Sequence, residues 1–156
     1  MNDQYAVIIT GFPLFQGLTL HGARMLLESG EVKEYPAGQM VLKEGDDATF
    51  VVLVLTGKME VFVERLQRDV VLTDAGPGRI LGELAVLCGI TRSASVRASE
   101  KSAVLQWSAA SFRNLLLQNV FLSERIFRES LRTLIEKERS LIDSLTQSED
   151  SRNQSE

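Results

Sequence analysis

Between residues 32 and 107 the chain consists of short β-rich segments separated by glycine-containing turns, and this spacing constrains the fold more than any other feature. Residues 50–55 form a continuous apolar run, which is typical of a strand buried on both faces. Residues 59–64 are more mixed, and we interpret Thr56-Gly57-Lys58 as a hairpin turn between the two segments. Many short strands at this spacing predict a mainly β domain, a jelly-roll (double-stranded β-helix) barrel with flanking helices.

Helical patterns flank the barrel region on both sides. Thr19 is placed to act as the N-cap of a short helix that ends before Gly30. Ser108 is placed in the same way for a helix that continues to Gln118. We therefore expect short N-terminal helices and C-terminal helices around the barrel.

The predicted domain ends near residue 146. After a break near Asn119, a longer helix is predicted over about residues 122–145. We expect one domain over residues 1–146, with the barrel over about 32–107 and the C-terminal helices over about 109–145. Residues 147–156 are polar and lack aromatic side chains, so we expect a disordered tail.

Composition argues against several partners and compartments. A chain of 156 residues with a net charge of -4 lacks the clustered positive charge that binds a nucleic-acid backbone. No segment approaches the roughly 20 apolar residues that cross a bilayer, and no basic segment precedes an apolar run at the start. The single cysteine fits a reducing compartment. We expect a cytoplasmic protein whose partners include neither nucleic acid nor membrane.

The sequence also argues against catalysis. One histidine, His21, cannot supply the cluster with which jelly-roll metalloenzymes hold a metal, and a surface position is expected for it. There is no nucleophile elbow, Walker loop or CxxC motif. Asp46-Asp47 lies in a predicted turn, where carboxylates are solvated turn formers. We expect no enzymatic activity, no metal and no cofactor.

Residues 80–96, called the cassette below, carry the chemistry. Gly82 and Glu83 open a short helical turn, and Arg92 follows nine residues after the carboxylate, before the small residue Ser93. Free amides at the start of the turn and a guanidinium that faces them can hold one small anion. Gly82 permits torsions and a close approach that a β-carbon would block. The carboxylate of Glu83 remains available to a hydroxyl group of the ligand.

The cassette resembles the phosphate-binding cassette of the cyclic-nucleotide-binding domains, the family of the catabolite activator protein and the protein kinase A regulatory subunit. The resemblance extends over about residues 12–135. Two positions depart from the family pattern: Thr91 stands where many members have proline, and Leu81 replaces a common aromatic residue. Other matching segments occur in the expected order: Phe12-Pro13-Leu14-Phe15, Tyr35-Pro36-Ala37-Gly38-Gln39, Lys43-Glu44-Gly45-Asp46 and Gly76-Pro77-Gly78.

The resemblance implies a role for each site residue. Glu83 binds the ribose and Arg92 binds the phosphate. The resemblance places two further groups of residues around the ligand. Those at the phosphate and ribose are Gly82, Leu84, Ala85, Ser93 and Ala94. Those along the base and sugar are Leu72, Thr73 and Leu81.

Each residue also has a simpler interpretation. Arg92 can be a solvated loop charge, and Glu83 can form a structural ion pair with Arg92. The two interpretations of Glu83 are compatible, since the pair is expected to form when no ligand is present. Cys88 is expected to pack beneath the cassette, without a redox role.

The last helix carries an apolar stripe with two open interpretations. One is an amphipathic helix that packs on its own barrel. The other is a parallel coiled coil between two copies, as in family members that dimerise through this helix. Glu138 interrupts the stripe, which is formed by Phe127, Leu131, Leu134, Leu141 and Leu145.

The function predicted from these patterns is that of a non-catalytic regulatory sensor of a cyclic nucleotide, with cyclic AMP favoured over cyclic GMP. Ligand phosphate is expected to order the cassette and shift the C-terminal helices over the base, which alters a surface read by an effector protein. The alternative is a ligand-free scaffold or dimerisation protein of the same fold. A DNA-binding regulator of the catabolite-activator type is disfavoured, because it requires a further helix-turn-helix domain.

Overall fold

Eight antiparallel strands form two four-stranded sheets in the computed structural model, which describes residues 3–155. One sheet has the strand order β1-β8-β3-β6 and the other β2-β7-β4-β5, so most neighbours in the sheets are distant in sequence. This topology confirms the predicted jelly roll. The strands are β1 (Glu31–Tyr35), β2 (Met40–Leu42), β3 (Phe50–Thr56), β4 (Met59–Arg65), β5 (Arg68–Ala75), β6 (Ile80–Leu81), β7 (Ser95–Ala98) and β8 (Ser102–Ser108).

Helices lie before, within and after the barrel. Both predicted N-caps are confirmed: Oγ1 of Thr19 accepts from the amide of Gly22 at 3.0 Å, and Oγ of Ser108 accepts from the amide of Ser111 at 3.1 Å. None of the helices formed by residues 3–155 combines the length and apolar character needed to cross a bilayer. The helices are α1 (Asp3–Thr10), α2 (Leu20–Glu28), α3 (Glu83–Cys88), α4 (Ala109–Gln118) and α5 (Val120–Gln154), with a 3₁₀ turn at Pro13–Phe15.

Strand β3 separates two hydrophobic cores, as its continuous apolar run predicts. One face, with Val51 and Leu53, packs with Trp107 and the helices. The opposite face, with Val52 and Val54, packs between the two sheets. All four of these β3 side chains are fully buried. Because each buried aliphatic side chain contributes about 1.5–3 kcal/mol, this strand is central to stability.

The predicted hairpin at Thr56-Gly57-Lys58 is wrong. Strand β3 pairs with β6 and β8, and β4 pairs with β5 and β7, so residues 56–58 carry the chain from one sheet to the other. The hairpin lies between β4 and β5 instead. Its turn residues, Leu66 and Gln67, have positive φ angles of 53° and 63° and lack the glycine that marks such turns in sequence.

Helix α5 extends beyond its predicted end. Residues 147–156 were expected to be disordered, but α5 continues to Gln154. Two serine hydroxyls in this part donate to the carbonyl four residues earlier, at 3.0 Å for Ser148 and 2.9 Å for Ser151. Polar residues without aromatics therefore still complete helical hydrogen bonds here, and every side chain over residues 147–154 is exposed.

Gly57 is a position where the fold requires glycine. Its φ is +88°, and a β-carbon there would lie 2.6 Å from the carbonyl oxygen of Lys101 and from Cα of Ser102. Gly38 has nearly the same φ, +89°, but open space around the added atom.

Gly38→Ala is therefore expected to lose roughly 1–2 kcal/mol of unfolding free energy from backbone strain. Gly57→Ala is expected to lose about 1–3 kcal/mol more, because the added methyl group overlaps the backbone of residues 101–102. Urea denaturation of the two variants measures the difference. Equal destabilisation of both would contradict the proposed steric role of Gly57.

Candidate ligand-binding site

The cassette residues converge on one cavity between the barrel and α5. The cavity has a volume of about 120 Å³. All seven residues predicted for the phosphate and ribose line it, and so do two of the three predicted for the base and sugar. These nine residues are Gly82, Glu83, Leu84, Ala85, Arg92, Ser93, Ala94, Thr73 and Leu81.

Gly82 is required for two reasons. It is the N-cap of α3 with a left-handed φ of 82°, which a residue with a β-carbon adopts only with strain. A β-carbon would also collide with Nη1 of Arg92 and lie 3.1 Å from Cδ1 of Leu42. Gly82 therefore sets the turn that starts α3 and leaves room for the guanidinium.

Arg92 is a buried arginine held by main-chain groups. It is 4% exposed, Nη1 donates to the carbonyl of Gly82 at 2.7 Å, and Nη2 donates to the carbonyl of Phe50. Its own main chain is also fixed, since its amide donates to the carbonyl of Asp46 at 2.9 Å. Burial lowers the pKa of Arg92 and the charges of Glu83 and Asp46 raise it, but a guanidinium stays protonated in proteins. The interpretation as a solvated loop charge is therefore wrong.

Part of the Arg92 guanidinium remains available to a ligand. A guanidinium carries five N–H donors, and the two main-chain contacts use one donor of each terminal nitrogen. The guanidinium also stacks on the ring of Phe50, with Cζ 5.1 Å from the ring centroid. These contacts fix its plane before any ligand arrives, which reduces the entropy cost of binding.

Glu83 is a buried carboxylate that contacts α5. It is 9% exposed, and its Oε1 accepts a hydrogen bond from Oγ of Ser130 at 2.9 Å. Burial raises the pKa of Glu83, while the hydrogen bonds from its own amide and from Ser130, and the charges of Lys137 and Arg79, lower it. The net shift is upward because the cost of burying a charge exceeds these contributions.

The expected ion pair between Glu83 and Arg92 does not form among the residues described. No nitrogen of Arg92 lies within 4.0 Å of a Glu83 oxygen, and neither residue takes part in the ion pairs of residues 3–155. The carboxylate is engaged by Ser130 and the guanidinium by two carbonyl oxygens. The two charges therefore face one cavity separately.

Leu72 does not line the cavity. It is 52% exposed, while its neighbour Thr73 reaches the cavity. The register of β4 and β5 explains the difference, because Val61 pairs with Thr73 and Phe62 pairs with Val71. Leu72 is the extra residue of this bulge and does not follow the simple alternation of a strand.

Cys88 also differs from expectation. It was predicted to pack beneath the cassette, but it is exposed at the C-terminal end of α3. Glycine at position 89, with a positive φ of 66°, ends the helix directly after it. Val86 of α3 is buried in the core, and Leu87 packs against it.

Sequence reasoning placed the C-terminal helices over the base but assigned no residue of α5 to the site. Ser130, Thr133, Leu134 and Lys137 line the cavity. The signal was present but weak, because Ser130 continues the four-residue spacing of the buried side chains Leu122 and Ile126. The apolar stripe is the more conspicuous pattern of this helix, and of its members Leu134 lines the cavity.

The cassette is also attached to α4. Nη2 of Arg113 donates to the carbonyl of Val86 at 2.9 Å, and the side chain of Val86 is buried in the core with Leu116 and Ile126. Helix α3 therefore has direct contacts with both C-terminal helices.

A larger groove of about 540 Å³ lies between α2, α4 and α5. Its lining includes Phe121. Cζ of Arg125 lies 4.2 Å from the centroid of the Phe121 ring. Arg125 already donates to the carbonyl oxygens of Leu14 and Gln16. Of the two cavities, the smaller one holds the buried arginine and the buried carboxylate, and we take it as the site.

The pKa of Glu83 leads to a prediction of pH dependence. Because the folded state binds the Glu83 proton more tightly than the unfolded chain does, the contribution of Glu83 to the unfolding free energy falls as pH rises from the ordinary value of 4.5 to the raised pKa. Glu83→Gln lacks this contribution. Urea denaturation of both proteins across this pH range is expected to show the wild-type value falling relative to the variant and then levelling off. If the unfolding free energy of wild type minus that of Glu83→Gln stays constant or grows as pH rises, the burial of an ionised Glu83 is contradicted.

Comparison with known proteins agrees with this geometry. The family model described as "Cyclic nucleotide-binding domain" matches residues 32–119, more than half of the chain. A cAMP-dependent protein kinase regulatory subunit from Blastocladiella emersonii is 31% identical over 100 residues, which are 64% of this chain and 25% of that protein. The cyclic AMP receptor protein of Thermus thermophilus is 33% identical over 96 residues, 61% of this chain and 44% of that protein.

A solved structure extends the comparison to the fold. The crystal structure of the Thermus thermophilus catabolite activator protein matches with a TM-score of 0.74 and 28% identity, covering 83% of this chain and 61% of that one. The matched segment makes up 25% of the length of the protein kinase regulatory subunit and 44% of that of the cyclic AMP receptor protein. The chain therefore spans less than half of either relative. The family model covers more than half of the chain, and the chain belongs to the cyclic nucleotide-binding domain family.

Proposed function

We propose that the protein binds a cyclic nucleoside monophosphate in the cavity between Arg92 and Glu83 and acts as a non-catalytic regulatory module. The observation that carries the proposal is a buried guanidinium and a buried carboxylate that line one cavity without pairing with each other. A ligand with one negative phosphodiester and one free hydroxyl satisfies both groups. Family membership supports the same assignment.

The assignment of roles follows from charge and hydrogen bonding. The free N–H groups of Arg92 bind the exocyclic oxygens of the phosphate, because a fixed guanidinium fork matches two oxygens. Glu83 accepts the hydrogen bond of the ribose hydroxyl. Main-chain groups at Gly82, Leu84, Ala85, Ser93 and Ala94 complete the cage, and Thr73 and Leu81 contact the sugar and base.

Cyclic AMP is the preferred ligand in this proposal. The support comes from relatives that are named a cAMP-dependent protein kinase regulatory subunit and a cyclic AMP receptor protein. Binding is proposed to shift α5, which lines the cavity through Ser130 and Leu134. The shift changes a surface that an effector protein reads.

A second proposal concerns α5, which we infer pairs with α5 of another copy. From residue 135 onwards every side chain of the helix is exposed, although helices in proteins owe most of their stability to a packed face. Most of the stripe does not pack on its own barrel: its side chains are 43% to 67% exposed, and Leu134 is the member that lines the cavity. These side chains repeat with coiled-coil spacing: Phe127, Leu131, Leu134, Leu141 and Leu145. This pairing is also the basis of the scaffold alternative.

Calorimetric titration with cyclic AMP and cyclic GMP tests the proposed ligand. We expect wild-type protein to bind cyclic AMP more tightly, and Arg92→Ala to lose on the order of 2–5 kcal/mol of binding free energy, because the phosphate loses a buried counter-charge. Arg97→Ala is the matched control, since Arg97 lies on β7 and pairs with Glu60 and Asp69 outside the cavity.

Arg92→Lys keeps the positive charge and serves where loss of the main-chain contacts unfolds Arg92→Ala. Circular dichroism of each variant confirms that the fold is retained. No heat with either nucleotide would favour the scaffold alternative. An affinity that changes less than twofold in Arg92→Ala would contradict the phosphate assignment.

Sedimentation equilibrium tests the pairing of α5. We expect the wild-type chain to form a dimer and the double variant Leu141→Lys/Leu145→Lys to be monomeric, because charges at the centre of a coiled coil are desolvated. Ser144→Lys adds a charge at another exposed position of the same segment and is expected to remain dimeric. A monomeric wild-type chain, or a dimer that survives the double variant, would contradict this pairing.

A further inference from the structure

Ser130 is the polar member of an otherwise apolar row on α5. The buried side chains of this helix are Leu122, Ile126 and Ser130. Ser130 is 6% exposed, and its hydroxyl donates to Oε1 of Glu83 at 2.9 Å. Among residues 3–155 this is the hydrogen bond that joins α5 to the cassette. The Ser130 hydroxyl thus binds the Glu83 carboxylate, to which the proposed function assigns the ribose hydroxyl of the ligand.

The position of α5 also restricts the space in the site. The cavity beneath Ser130, Thr133 and Leu134 measures about 120 Å³. Pockets that hold drug-sized ligands have volumes of about 300–1,000 Å³. A nucleotide therefore requires this face of α5 to move away from the cassette, which is opposite to the movement over the base expected from the sequence. Such a movement breaks the contact between Ser130 and Glu83.

The remaining attachments of α5 lie near its N-terminal end. Leu122 and Ile126 are buried in the core, and Arg125 donates to carbonyl oxygens of the 3₁₀ turn region. Asn119, with non-helical φ and ψ angles of -133° and 89°, separates α5 from α4. Loss of the Ser130 hydrogen bond therefore frees the part of α5 beyond residue 126 while its start stays attached.

We propose that Ser130 is an internal competitor of the nucleotide, whose hydroxyl stabilises the closed position of α5 on Glu83 and is replaced there by the ribose hydroxyl. The inference rests on the proposed function of this site. It assigns Ser130 as a positioning residue that sets affinity and couples binding to α5. The exchange is a replacement of one neutral hydroxyl donor by another on the same carboxylate, with no net change in proton count.

The test is calorimetric titration of cyclic AMP into the full chain and its variants. Ser130→Ala is expected to bind about 3- to 10-fold more tightly than wild type, because closed α5 loses a hydrogen bond of ordinary strength. Ser144→Ala is the matched control. It removes an exposed serine hydroxyl of the same helix that lies outside the cavity and donates to the carbonyl of Ser140, so the affinity is expected to stay within twofold.

A double-mutant cycle separates this role from a merely structural one. In a Glu83→Ala background, where the hydroxyl has no carboxylate to contact, Ser130→Ala is expected to leave the affinity unchanged within twofold. Ser130→Cys is a second variant of similar size with a weak donor, and a smaller gain in affinity is expected from it. Amide hydrogen exchange over residues 127–134, without added nucleotide, is expected to be faster in Ser130→Ala than in wild type.

The possible failures are distinct. If the wild-type protein binds cyclic AMP and Ser130→Ala binds it with equal or lower affinity, the proposed competition by Ser130 is wrong. The proposed function is then unaffected. The competition is also wrong if Ser130→Ala gains the same affinity in the wild-type and Glu83→Ala backgrounds. Absence of cyclic nucleotide binding by every protein overturns both proposals.

Discussion

The buried guanidinium of Arg92 is the group on which the rest of the site depends. It joins three separate parts of the chain, because it donates to the carbonyl of Phe50 at the start of β3 and to that of Gly82 before α3, while its amide is held by Asp46. A buried positive charge is costly unless it is hydrogen-bonded, so these contacts stabilise the cassette as well as the charge. Glycine at position 82 follows from the same constraint, since any larger residue displaces the guanidinium.

The opposite side of the cavity is formed by α3 and α5. Glu83 begins α3, and it contacts α5 through Ser130, whereas α3 also contacts α4 through Arg113. Arg92 is held by the carbonyl groups of Phe50 on β3 and of Gly82 at the start of α3. A ligand bound as proposed contacts both the guanidinium of Arg92 and the carboxylate that is hydrogen-bonded to α5, and through this contact we propose that binding is coupled to the helix.

Local patterns made much of this predictable. The double burial of β3, the caps at Thr19 and Ser108, and the convergence of Glu83 and Arg92 on one cavity all follow from residues close together in sequence. Non-local features were harder. The contact of Ser130 with Glu83 joins residues 47 apart, and a glycine turn at residues 56–58 looks the same whether it closes a hairpin or changes sheets. The real hairpin turn, at Leu66 and Gln67, has no glycine to mark it.

The most direct test of the account is two-dimensional NMR of the full chain during titration with cyclic AMP, with the Nε–H of Arg92 and the amides of residues 82–85 and 92–94 assigned. The account predicts saturable shifts of these signals together, with Arg92 Nε–H moving as its free donors meet the phosphate. Unchanged signals at Arg92 and the start of α3, with or without shifts elsewhere, would contradict it.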